Sequence, residues 1–133
     1  MGISTISAQW TGEALNFVAK NHRDREVLMG KGGFSPTQMM LMGLAGCMGM
    51  DVLSILQKKR QNVTEVLVDV TGHNADDYPK PYHTAEINFV IKGDKVEAKA
   101  VDRAIELSLE KYCIVGQTLQ NEVELKTSFT IET

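Results

Sequence analysis

Two residues in this sequence have side chains able to act as nucleophiles or redox centres, Cys47 and Cys113, and they are its only cysteines. Cys47 stands in the run Gly43-Leu44-Ala45-Gly46-Cys47-Met48-Gly49. Three glycines in a helix interior cost about 1 kcal/mol each relative to alanine. What compensates is space: glycines around one sulfur admit a second backbone, a substrate or another thiol. On a helix, Gly43 lies one turn before Cys47 and Asp51 one turn after it, on the same face. A thiol reacts as its thiolate, and the Asp51 carboxylate raises the thiol pKa unless a cation offsets it. The helix start is too distant for its dipole to help, because that effect fades within the first turn. Free cysteine is also among the most buried residue types, so plain packing is an alternative at Cys47 and equally at Cys113, which follows Tyr112 at the end of an amphipathic segment. A separation of 66 residues does not say whether the two sulfurs can bridge.

Other chemistry finds less support. His22, His73 and His83 fall near loops or strand ends without HxxxH or CxxC spacing, so neither a metal site nor a cofactor is expected. Gly30-Lys31-Gly32-Gly33 lacks the frame of a phosphate-binding loop and reads as a mobile connection. Five of the seven methionines fall between residues 39 and 50, which suits adaptable core, or the lining of a soft pocket for an apolar ligand. Asp51, a carboxylate in an apolar stretch, needs a partner; a hydrogen bond to Ser54 or to a backbone amide is the structural reading, and a place in the site is the functional one.

The elements that position these residues follow from periodicity. Ile6-Ala8-Trp10 and Leu15-Phe17-Ala19 alternate on either side of Thr11-Gly12, the form of a β-hairpin, and Glu26 to Met29 supplies a third strand. Ser35-Pro36-Thr37-Gln38 combines an N-cap, a proline at the first helical position and a capping-box glutamine. A helix therefore runs from Pro36 to about Arg60, roughly 37 Å. Val63 to Gly72 alternates with Thr64, Val66, Val68 and Val70 on one face, and Ala85-Ile87-Phe89-Ile91 repeats the pattern. Asp94 and Glu97 cap a second helix reaching Tyr112 and Cys113 through Val101, Ala104, Ile105 and Ser108, and a short third helix spans about Val115 to Leu119. Val123-Leu125-Thr127-Phe129-Ile131 closes the chain as a strand. The order βββ-α-ββ-αα-β predicts an α+β fold with a six-stranded, mainly antiparallel sheet, in one domain spanning residues 1–133.

The long helix bears on assembly. Between residues 39 and 50 it has almost no polar face, so it is expected to be buried all round. One sheet covers one side only, and a second copy of the chain is the expected cover, giving a homodimer.

Size and charge set the class. At 133 residues and 43% hydrophobic, the chain suits one core. Fourteen basic against 17 acidic residues leave a net charge of −3, with no basic stripe, so neither nucleic acid nor an anionic membrane is an expected partner. No export signal or membrane span is expected either, and two distant cysteines fit a reducing, cytoplasmic location.

The stretch from Ser35-Pro36-Thr37-Gln38 through Gly43-Leu44-Ala45-Gly46-Cys47-Met48-Gly49 to Asp51-Val52-Leu53-Ser54-Ile55-Leu56 resembles the central helix of OsmC/Ohr proteins. Glu110-Lys111-Tyr112-Cys113 resembles the segment that carries their second cysteine. With the strand order, the resemblance covers essentially the whole chain and is nearest the OsmC-like branch. It implies a thiol-dependent organic hydroperoxide reductase. Cys47 would attack the peroxide, Cys113 would resolve the sulfenic acid as a disulfide, and an external dithiol would reset the pair. It also implies an intertwined homodimer with its sites at the subunit interface. Two departures qualify the activity. Thr37 stands where strongly peroxidatic members have glutamate, and Thr11-Gly12-Glu13 where they have an arginine. Arg23 or Arg25, paired with Asp51, is the candidate replacement cation. The alternative is a relative that no longer reduces peroxides and binds a small apolar or thiol-reactive ligand in the same pocket.

Overall fold

The computed structural model describes residues 2–121 and 123–132. They form two compact units whose boundary falls between Met42 and Gly43. The first unit contains a three-stranded antiparallel sheet of β1 (Ser7–Trp10), β2 (Phe17–Lys20) and β3 (Glu26–Met29), in that order. Ser7 opposes Lys20, and Phe17 opposes Met29. The second hairpin turn is held by Asn21, whose Oδ1 accepts from the backbone N–H groups of Arg23 and Arg25 at 2.9 and 3.1 Å.

Helix α1 (Pro36–Lys58) begins where the capping residues place it. Ser35 Oγ accepts from Gln38 N–H at 3.2 Å and Gln38 Oε1 accepts from Ser35 N–H at 3.0 Å, a reciprocal pair that satisfies two end donors. By length and composition alone α1 could cross a bilayer, although the sequence reading expects no membrane span. Its Leu44, Met48, Val52 and Leu56, spaced four apart, instead form a buried stripe. That stripe is narrower than the all-round burial expected: Met50 on the opposite face is 75% exposed in the protomer.

In the second unit, β4 (Asn62–Asn74) and β5 (Tyr82–Asp94) pair antiparallel over their whole length. Ala85, Ile87, Phe89 and Ile91 face inward as the alternation requires. In β4 a register shift between Val63 and Glu65 makes Thr64 an extra residue, so Val63 rather than Thr64 joins Val66, Val68 and Val70 on the inner side. Helix α2 (Ala98–Leu107) has Glu97 as its N-cap, without a side-chain cap bond, while Asp94 ends β5. The Glu97 N–H goes to Gln61 Oε1 at 2.9 Å. Ala100 and Ala104 of α2 pack with Val52 and Leu56 over Val63, Phe89 and Ile91. Burying a side chain such as Leu56 contributes ~1.5–3 kcal/mol. A π-helical turn (Ser108–Tyr112) and α3 (Ile114–Gln120) follow.

The six-stranded sheet is not found among the described residues, which hold a three-stranded and a two-stranded sheet. Residues 123–131, expected as the closing strand, pair with no other strand among the described residues.

Candidate active site

Cys47 and Asp51 project from the same face of α1, one turn apart. The π-helical turn brings the third member to them: its wider ring closes with the Cys113 N–H donating to the Ser108 carbonyl at 2.7 Å. Cys113 then leaves the helical conformation and caps α3, its Sγ accepting the Gly116 N–H at 3.2 Å. An added Cβ at Gly116 would stand 3.4 Å from that sulfur, an ordinary contact, and 3.3 Å from Leu109 Cδ1. The result places Cys47 Sγ, Cys113 Sγ and an Asp51 carboxylate oxygen within 4.8 Å of one another. Both cysteines are free thiols.

The surroundings differ between the two sulfurs. Cys113 is fully buried with Leu44 and Met48, against Val70, Ile87, Leu109 and Val115, while Cys47 is partly exposed. Burial pushes the Cys113 thiol up to about 11, reinforced by the adjacent Cys47 thiol and the charges of Cys47 and Asp51, with the Gly116 amide pulling the other way. At neutral pH Cys113 therefore holds its proton, and of the pair the accessible Cys47 is the one placed to meet a substrate.

Asp51 finds its partner at Ser108, not at Ser54: the Ser108 hydroxyl donates to Asp51 Oδ2 at 2.9 Å. Ser108 is fully buried, a residue that periodicity counts as one more member of the α2 stripe. Its signal in the sequence is a hydroxyl at a position where the helix otherwise requires an apolar side chain. Asp51 also borders a groove of about 550 Å³, lined by Ser54, Ile55, Lys58, Lys59, Leu107 and Tyr112. Arg23 and Arg25 are exposed residues of the β2–β3 turn in the first unit. Thr37 lies in the first turn of α1, its hydroxyl 3.3 Å from Ser35 Oγ.

An α+β fold carrying two proximal thiols, one buried and one accessible, defines a class of small dithiol proteins. Comparison with known proteins narrows the class. The profile described as "OsmC-like protein" matches residues 29–128. Protein YhfA of Escherichia coli K12 is 34% identical over 123 residues, covering 90% of this chain and 92% of YhfA. A crystal structure from Aquifex aeolicus is 35% identical, with a TM-score of 0.82 over 90% of this chain and 89% of that one. The organic hydroperoxide resistance protein OhrB of Bacillus subtilis shares the fold at 12% identity, with a TM-score of 0.59 over 94% of this chain and 96% of its own. The chain belongs to the OsmC-like family.

Proposed function

We propose that this protein reduces organic hydroperoxides through its two cysteines. The observation that carries the reading is the proximity of the two sulfurs, one reachable from solvent and the other buried and protonated. In the first step the Cys47 thiolate attacks the outer peroxide oxygen. The O–O bond breaks, the alkoxide leaves with a proton as the alcohol, and Cys47 becomes a sulfenic acid. Cys113 then gives up its proton as its sulfur attacks Cys47 Sγ, water departs, and a disulfide forms. An external dithiol takes up the oxidation and restores both thiols. Release of the Cys113 proton is the costly part of the second step, because burial favours the thiol.

This chemistry requires a cation to stabilise the thiolate and the departing oxygen, and Arg23 or Arg25 is the candidate that the sequence offers. The name of the Bacillus relative, a hydroperoxide resistance protein, favours the same substrate class. We assign the protein to the cytoplasm and to a homodimer with no nucleic acid or membrane partner.

Peroxide consumption with a dithiol reductant tests the reading. Wild type is expected to turn over an organic hydroperoxide. Cys47→Ser should fall to background, whereas Cys113→Ser should complete a single turnover and stop at a sulfenic acid that a dimedone-type trap captures. Wild type that consumes neither organic peroxide nor hydrogen peroxide would sink the proposal. The replacement of the family's activating glutamate and arginine by Thr37 and Glu13 favours a second reading, a pocket for a small apolar or thiol-reactive ligand. Native mass spectrometry of protein taken directly from cells would then show an adduct on Cys47.

A further inference from the structure

The redox reading uses two of the three ligand-type side chains that meet in the second unit. Cys47 and Asp51 stand at i and i+4 on α1, the spacing that lets one helix face offer two ligands to an ion. Cys113 arrives from the end of the π-helical turn, 62 residues beyond Asp51, which is why no short spacing motif announces the group. The three ligand atoms lie within 4.8 Å of one another. Around a tetrahedral zinc ion, two sulfurs at ~2.3 Å and one oxygen at ~2.1 Å stand about 3.6–3.8 Å apart, so at most about 1 Å of closure completes the geometry.

We propose that the reduced protein binds one zinc ion through Cys47 Sγ, Cys113 Sγ and the Asp51 carboxylate, with water in the fourth position. Two thiolates select a borderline-soft ion over magnesium or calcium. Both elements supply the outer contacts such ligands use. Ser108 Oγ donates to Asp51 Oδ2, leaving the other carboxylate oxygen for the metal, and the Gly116 N–H donates to Cys113 Sγ. Asp51 borders the groove and Cys47 is partly exposed, so two of the three ligands are reachable from solvent. Two thiolates and a carboxylate on Zn²⁺ leave one net negative charge, which Lys58 and Lys59, lining the same groove, oppose. Each sulfur binds as its thiolate, a protonated thiol passing its proton to water as its Zn–S bond forms, so binding transfers no electrons. The disulfide has no thiolate to offer, so metal and oxidation exclude each other. A zinc-loaded pair is thereby held reduced and closed to peroxide. None of the three histidines is needed.

Cobalt(II) is the probe, added to the full-length, dithiol-reduced, chelator-stripped protein. One equivalent per chain should give an intense near-ultraviolet thiolate-to-cobalt band with the visible bands of tetrahedral cobalt. Zinc should displace it with a Kd at or below ~1 µM. Cys47→Ser should lose about half of the charge-transfer intensity, and Asp51→Ala should weaken zinc by at least ~10-fold. Both residues are partly exposed, so circular dichroism of the variants should match wild type, and disulfide-oxidised wild type should bind no cobalt. Absence of the thiolate band in reduced wild type overturns the site, as does unchanged zinc affinity in either variant. No peroxide enters the experiment. An inactive protein with cobalt bands therefore discredits only the peroxidase reading, and an active protein without them discredits only the metal site.

Discussion

A thiol held near 11 ties the stability of the fold to alkali. Cys113 has an ordinary pKa of 9.0 once unfolding exposes it, against about 11 in the native protein. Its raised native value means that the stabilising contribution is complete below about pH 9 and is lost as pH climbs toward 11, because the unfolded chain sheds its proton first. Urea unfolding with chelator present should show stability falling by up to about 1.4 kcal/mol per pH unit across that window. Cys113→Ala should be less stable at pH 8 and should flatten the slope. Ser108 acts on the same cluster. Ser108→Ala takes the only side-chain hydrogen bond seen for Asp51 among the described residues, and a loss of about 1–3 kcal/mol at pH 7 is expected in the same assay. At this scale the sequence was informative about residue types: both cysteines and the i+4 carboxylate were visible as candidates. Ser108 was not, because a single hydroxyl on an otherwise apolar stripe looks like tolerated variation until its partner on another element is known.

Among the elements, α1 was legible at its start because the capping box is a local code, and β5 because its alternation is unbroken. Local patterning failed where a neighbour decides. The extra residue at Thr64 reverses the phase of β4, and nothing before Val66 distinguishes a bulged threonine from one on the inner face. The glycines of α1 also divide only in three dimensions. A Cβ at Gly49 would come 3.2 Å from Val68 Cγ2, whereas one at Gly46 meets nothing within 4 Å in the protomer. Gly49 thus lets the helix settle on β4, while a Cβ at Gly46 would meet nothing among the described residues. Gly46→Ala is expected to gain roughly 0.5–1 kcal/mol from helix propensity, and Gly49→Ala to be less stable than Gly46→Ala by about 1–3 kcal/mol through overpacking. Chemical denaturation of the two variants side by side checks both values; equal stabilities would mean that the Val68 contact carries no packing constraint.

For the whole molecule, the open question is what covers the apolar surface that one chain leaves to water. Leu125 and Phe129 are 86% and 85% exposed on a segment whose alternation is that of a strand, and Met50 is exposed on the outer face of α1. A strand pattern without a ladder partner, together with uncovered large apolar side chains, is the surface that pairing with another chain removes. The proposed homodimer therefore predicts sedimentation at twice the 14.7 kDa chain mass. It also makes the tail separable from the fold of the protomer. In a true monomer, Phe129→Asp alters an exposed residue and should move stability by no more than about 0.5 kcal/mol. In a dimer the same change acts in both copies, each losing ~1.5–3 kcal/mol of burial, so association should weaken at least 100-fold. Sedimentation velocity over a dilution series measures that constant, with Glu132→Asp as the neighbouring conservative control. A monomeric wild type, or a Phe129→Asp protein that associates as tightly as wild type, would show that the tail takes no part in assembly and that its alternation has some other cause.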